Sequence, residues 1–208
     1  MPSTPLTEGE LRQHFARQPA ADWPDEGAPA PEQAGARAAV LIPIVADGAG
    51  LSVLFTRRTD HLYHHPGQIS FPGGRVEAAD ANDISTALRE TQEEIGLAPD
   101  RIQILGQLPG YGTVTGFRIT PIVGLVNAPL TLALDAFEVA EVFQVPLAHL
   151  TNPRNYQIHR IERAGLVREF YAVPHAGRFI WGATAGMLAA FCAYVGRPLP
   201  PSPRLAEG

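Results

Sequence analysis

The sequence contains no lysine: all sixteen basic residues of the 208-residue chain are arginine. This excludes a Schiff-base lysine mechanism and leaves anion recognition to arginine forks, backbone amides or a metal ion. Cysteine is almost as scarce. The single residue, Cys192, excludes an intramolecular disulfide and any CxxC metal site. Positive charge is in deficit, with a formal net charge of −5, so the electrostatic footprint of a nucleic-acid binder is missing. No apolar run approaches the ~20 residues that a membrane helix needs. The opening MPSTPLTEGELRQHF has neither the basic nor the apolar segment of a secretory signal. The expectation is a cytoplasmic protein without membrane or nucleic-acid partners.

What is present is the composition of a soluble globular protein, 45% hydrophobic and 18% charged, in a chain long enough to bury a real core. Residues 6–17 read as a short amphipathic helix, with Thr7 and Glu10 spaced as a capping box. An Ala/Pro-rich connector completes an N-terminal extension, 1–36. A Pro-rich stretch, 196–208, reads as a tail. Between them, 37–195 is predicted to form one domain. AAVLIPIVA (38–46), a DGAG turn and LSVLFTR (51–57) predict a hairpin. Strands are predicted at 101–108 and 117–126, with a second hairpin at 156–162 and 168–173 and a mostly apolar helix over 179–195. Strands joined by long connections, with two helices to cover them, predict an α/β sandwich.

The chemistry concentrates in FPGGRVEAADANDISTALRETQEEIGL (71–97). Asn82 or Asp83 can cap a helix that Gly96 ends. Ile84, Ala87, Leu88, Thr91 and Ile95 form its core-facing stripe, and Glu90, Glu93 and Glu94 the adjacent one. Like charges at these spacings repel by roughly 0.2–0.5 kcal/mol per pair, and the helix C-terminal half disfavours anions further. Local physics opposes the cluster unless something positive binds there. Carboxylate oxygens suit Mg²⁺ or Mn²⁺. Gly73 and Gly74 allow a backbone to approach a ligand closely, and a carbonyl there could complete a coordination sphere. Arg89 can orient a carboxylate by a two-point contact.

Gly74 to Leu97 resembles the Nudix box, G-x5-E-x7-R-E-U-x-E-E-x-G-U with U aliphatic. Gly74, Arg89, Glu90, Glu93, Glu94, Gly96 and Leu97 match. Asp80 stands where the pattern has Glu, eight residues instead of seven separate it from Arg89, and Thr91 replaces the first aliphatic. The resemblance implies a Nudix-type α/β/α sandwich with a mixed β-sheet, and hydrolysis of a nucleoside diphosphate derivative with Mg²⁺ or Mn²⁺. Carried over, Glu90 and Glu94 are direct metal ligands, Glu93 binds directly or through water, and Gly74 offers its carbonyl.

A second stretch, LFTRRTDHLYHHPGQISFPGG (54–74), resembles the motif L-L-T-x-R-[S/A]-x3-R-x3-G-x3-F-P-G-G of coenzyme A diphosphatases. Leu54, Thr56, Arg58, Gly67, Phe71, Pro72, Gly73 and Gly74 match, whereas Phe55, Thr59 and Tyr63 depart from it. Tyr63 replaces an arginine. The implied reaction cleaves coenzyme A, with its thioesters as further candidates, to 4′-phosphopantetheine and adenosine 3′,5′-bisphosphate. A ligand so rich in phosphate needs cations, and Arg57, Arg58 and Arg75 lie in or beside this loop. Candidate general bases are Glu90, Glu138 and Glu141. Arg89 and Glu138 join Glu90 as candidate catalytic residues, and Gly67 joins the substrate loop. A small nucleotide-like molecule is the expected partner, and a homodimer is compatible with the sequence. ADP-ribose, dinucleotides or damaged nucleoside triphosphates are the alternative substrates. A non-catalytic Nudix-fold nucleotide-binding regulator is the alternative of another class.

Overall fold

Every second residue of the first apolar stretch must find cover on a different side, and here both sides are covered. In the computed structural model, which describes residues 4–17, 36–113, 116–163 and 166–199 (backbone only for 163 and 166–168), strand β1 spans Arg37–Ala46 and is buried along almost its whole length. Ala39, Leu41 and Val45 enter one apolar core while Val40, Ile42 and Ile44 enter another. Such a two-sided strand belongs at the centre of a sheet. It pairs in parallel with β7, Arg118–Asn127, through ten consecutive residues from Arg37↔Arg118 to Ala46↔Asn127. β5, Ile102–Gln107, and the short β6, Tyr111–Gly112, add antiparallel to β7.

On its other side β1 meets two partners in turn. Its end pairs with β2, Leu51–Arg58, through Ile44↔Val53 and two further pairs. Asp47 closes the hairpin, its Oδ1 accepting from the amides of Ala49 and Gly50 at 2.9 and 3.1 Å. The strands then separate. β3, Ile69–Ser70, pairs with the far end of β2, and β4, Gly73–Arg75, pairs with the start of β1. The Leu41 amide donates to Pro72 O between them. Gly73 crosses at φ 154, and a Cβ there would strike the Ala39 carbonyl and lie 2.5 Å from Val40 Cα. Only glycine fits. β8, Val139–Pro146, pairs with the outer side of β2.

Helix α1, Glu8–Arg17, carries the expected reciprocal Thr7–Glu10 cap and buries Leu11 and Phe15. Helix α2, Asp83–Ile95, covers the core that holds Leu41, Leu54 and Ile122. Asn82 and Ser85 cap its start reciprocally, and Gly96 ends it at φ 69. Thr91, where the family pattern has an aliphatic, is fully buried and satisfies its hydroxyl on Ala87 O at 2.6 Å. The opposite core takes in α3, Leu147–Leu150, and a three-stranded sheet of β9, Gln157–Arg163, β10, Leu166–His175, and β11, Arg178–Trp181. Helix α4, Ala183–Tyr194, closes that side. The architecture is therefore the predicted α/β class with a mixed sheet between helical layers. No helix among the described residues is long and apolar enough to cross a membrane.

One expected element is corrected. The helix predicted over 179–195 begins only at Ala183, because Arg178–Trp181 turns back onto β10 as a strand. The two-residue connection, Ala176 at φ 47 and Gly177 at φ 79, has the positive φ values that a tight hairpin requires. The connector over 18–35 and most of the tail, 200–208, lie outside the described residues.

Two glycines give this reading a test. Gly73→Ala has no room, and overpacking of this kind costs about 1–3 kcal/mol. It should lower the melting temperature by roughly 3–10 °C for a domain of this size. Gly9→Ala, in open space on α1, should be neutral or slightly stabilising. Equal melting temperatures for Gly73→Ala and wild type in differential scanning calorimetry would contradict the packing described.

Candidate active site

Arg89 is the side chain around which the site is built. Its Nε and Nη2 donate to the two oxygens of Asp80, both at 3.0 Å, in a two-point clasp. Nη1 donates to Glu90 Oε1 at 2.9 Å and Glu93 Oε2 at 3.0 Å, and Nη2 also reaches Arg75 O at 3.2 Å. Asp80 in turn accepts from Thr86 Oγ1 and the Glu77 amide, each at 2.8 Å. Its contact with Arg89, more than any other, holds its carboxyl well below the usual carboxylate range. A turn from Glu77 precedes Asp80, whose amide donates to Glu77 O at 3.1 Å, and the shorter acid still reaches the arginine across the longer spacer. Loop, helix and β4 are thus tied to one guanidinium.

The three glutamates do not share one environment. Glu93 is exposed and leans outward to Arg89. Glu90 is half-buried against β4, where a Cβ on Gly74 would fall 2.5 Å from both Glu90 carboxylate oxygens. Burial raises its pKa, against the pull of Arg89. Glu94 is buried, and its Oε2 has no hydrogen-bond partner. Desolvation pushes its pKa up to about 8, with Glu138 and Glu90 adding repulsion while Arg58 and the Gly73 amide oppose it. An anion in that position is costly unless it is paired.

Arg58 and Glu138 face this pair. Arg58 Nη1 lies 3.9 Å from Glu94 Oε1 and 3.9 Å from Glu138 Oε2. Their backbones are fixed to each other: the Thr59 amide donates to Glu138 O at 2.9 Å, and Thr59 Oγ1 to Phe137 O at 2.7 Å. A register shift between Arg57 and Arg58 sets Arg57 opposite Glu141 but Arg58 opposite Val139. Such bulges re-aim side chains beside functional sites.

The remaining expected residues lie apart. Alternation along β2 sends Arg57 to the other face of the sheet, where it meets Asp60 at 3.1 Å and Glu141 at 3.8 Å. Glu141 also receives Arg178, whose guanidinium lies over Phe143. Arg75 is exposed, 5.0 Å from the Phe117 ring centroid. Gly67, at φ 66, turns the loop with its amide on Thr59 O. Tyr63, at the motif's arginine position, is 93% exposed. Two positions escaped the sequence reading. Thr59 stood only as a departure from a motif, and its tether to Phe137 depends on strand pairing. The orphaned oxygen of Glu94 depends on depth, which no spacing reveals.

The donor set fits a hard divalent cation. Glu90 and Glu94 offer inward oxygens beside a backbone stripped of Cβ, and one of those oxygens is buried without a partner. No three acidic, histidine or cysteine side chains among the described residues enclose an ion as they stand.

The raised acid predicts a pH dependence of the metal-free protein. Glu94 binds a proton in the fold up to about pH 8 but follows an ordinary carboxylate, near 4.5, when unfolded. Its contribution to stability is therefore full below the unfolded pKa and is lost as pH rises through the folded one. Without metal, thermal stability should decline between about pH 5 and pH 8, and Glu94→Gln should flatten that decline. An identical slope in the variant would contradict the assignment.

The comparisons identify the family. A family model described as NUDIX domain matches residues 35–160. The uncharacterized Nudix hydrolase NudL of Enterobacter sp. (strain 638) is 39% identical over 161 residues, 77% of this chain and 83% of that protein. NudL of Yersinia enterocolitica is 41% identical over 151 residues, 73% of this chain and 77% of the relative. NudL of Escherichia coli K12 is 38% identical over 160 residues, 77% of this chain and 83% of that protein. Nudix hydrolases act on pyrophosphate bonds of nucleoside diphosphate derivatives and generally use divalent metals. With the glutamate helix and its glycine strap in place, the chain belongs to the Nudix hydrolase family.

Proposed function

We propose that the protein hydrolyses the diphosphate bond of coenzyme A, with Mg²⁺ or Mn²⁺, to 4′-phosphopantetheine and adenosine 3′,5′-bisphosphate. One observation carries the reading: Arg58, the arginine of the upstream motif, reaches to 3.9 Å from Glu94 of the glutamate helix. A substrate diphosphate held by Arg58 would therefore meet the metal carboxylates.

In this reading Glu90 and Glu94 would hold the metal directly, Glu93 would bind it directly or through water, and Gly74 would offer its carbonyl. The ion would polarise the bridging phosphates and lower the pKa of water. Arg89 does not touch substrate; clasped by Asp80, it fixes where Glu90 points. Glu138, partly exposed beside Arg58, would accept a proton from the attacking water. Arg58 balances charge on the diphosphate, a contact that strengthens as negative charge develops. Arg75, on the exposed rim, is available to a terminal phosphate. Arg57 and Gly67 shape the loop that carries Arg58. Cytoplasmic location is part of the same reading.

The test is direct. Incubation with Mg²⁺ or Mn²⁺ and coenzyme A should yield the two named products by mass spectrometry, and Glu90→Gln or Glu94→Gln should lower turnover by about a hundredfold or more. Cleavage of ADP-ribose or a dinucleotide with coenzyme A left intact would replace the substrate. Tight nucleotide binding without any cleavage would favour a regulator.

A further inference from the structure

Two arginines face the glutamates of α2, and they are held in opposite ways. Arg89 is locked by hydrogen bonds of 2.9–3.2 Å to Asp80, Glu90, Glu93 and a backbone carbonyl. Arg58 makes no contact with Glu94 or Glu138 closer than 3.9 Å, beyond hydrogen-bond range. It is a loose counter-charge, sitting between a buried carboxylate and a half-exposed one.

We propose that Arg58 is an exchangeable cation. It lies beside Glu94 and Glu138 in the metal-free protein, and a divalent ion displaces it from there toward the diphosphate of the substrate. The inference rests on the reading of the site as a metal-dependent diphosphohydrolase and adds how its two cation requirements are linked. The ion and Arg58 compete for the same place beside Glu94 and Glu138, where one Glu94 oxygen is already without a partner. A guanidinium and a divalent cation side by side repel each other, so entry of the ion favours a swing of Arg58 away from the helix. The main chain beneath has no such freedom. The Arg58 amide is bound to Gln68 O at 2.9 Å and the next amide to Glu138 O at 2.9 Å. Exchange is therefore a rotation of one long side chain, which is 26% exposed and so has solvent to move into. No other charged side chain of the loop can substitute: Arg57 is engaged with Asp60 and Glu141 on the opposite face. Displacement by the ion would leave a free guanidinium at the place where the phosphates arrive, so metal and substrate would bind in order, metal first. Linkage makes the effect reciprocal.

The experiment uses the full chain, free of metal and without substrate, and titrates Mn²⁺ calorimetrically against wild type, Arg58→Ala and Arg58→Gln. Removal of a competing cation should tighten Mn²⁺ binding by about fivefold or more in both variants. The metal-free variants should melt lower than wild type and recover with Mn²⁺, and the KM for coenzyme A should rise. Circular dichroism identifies a variant that fails to fold, in which case the other decides. Unchanged or weaker Mn²⁺ binding in a folded variant would overturn the proposal, because Arg58 would then be a fixed part of the site. Tighter Mn²⁺ binding with an unchanged KM would overturn it too, since the arginine would have left the carboxylates without reaching substrate. Failure of coenzyme A to react in wild type would sink the substrate reading alone, as the Mn²⁺ titration needs no substrate.

Discussion

The ion-pair network of Arg89 is the contact on which the site depends. A helix bearing Glu90, Glu93 and Glu94 near its C-terminus is opposed by its own dipole and by mutual repulsion. Arg89 offsets both from within the helix, and Asp80 fixes Arg89 from the loop before it. The consequence is asymmetric. Glu93 and Glu90 are each hydrogen-bonded to Arg89, whereas Glu94 is left deep in the structure with an unpartnered oxygen and a raised pKa. A buried acid that cannot ionise cheaply is a poor structural element but a ready ligand for a cation that arrives in one piece.

The glycine strap makes that arrangement reachable. β1 and β2 part company after Ile44↔Val53, and the gap is filled by β3 and β4. Gly73 clears β1 and Gly74 clears Glu90, so backbone lies against carboxylate where any side chain would intervene. A chain without lysine meets its need for cations by dividing the work between arginines. One is clamped and sets geometry; another is loose and, on the proposed reading, would meet phosphate.

Much of this was legible in the sequence, for local reasons. The bounds of α2 follow from Asn82, the apolar period and Gly96, all of which act within a turn or two of themselves. The β1–β2 hairpin follows from two apolar runs around Asp47 and Gly48. What was not legible depends on partners distant in the chain. β3 and β4 are two and three residues long, too short for any periodicity, and exist because two longer strands diverge. β11 follows a turn whose first residue is Ala176 at positive φ, not the asparagine or aspartate that would signal it. The wheel put Glu90, Glu93 and Glu94 on one stripe, yet β4 and the start of β8 cover that stripe unevenly and sort them into half-buried, exposed and buried. Arg57, Arg58 and Arg75 read as one basic cluster beside the loop, although strand alternation turns Arg57 away from Arg58 to the other face of the sheet.

The central claim is that Glu94 gives up a proton to take a divalent cation. Isothermal titration of Mn²⁺ at pH 7 in two buffers of different ionisation enthalpy measures the protons released per ion bound. The account predicts close to one proton released at pH 7, falling toward zero as the pH passes well above 8, and little release from Glu94→Gln. Binding without proton release at pH 7, or equal release from the variant, would contradict it.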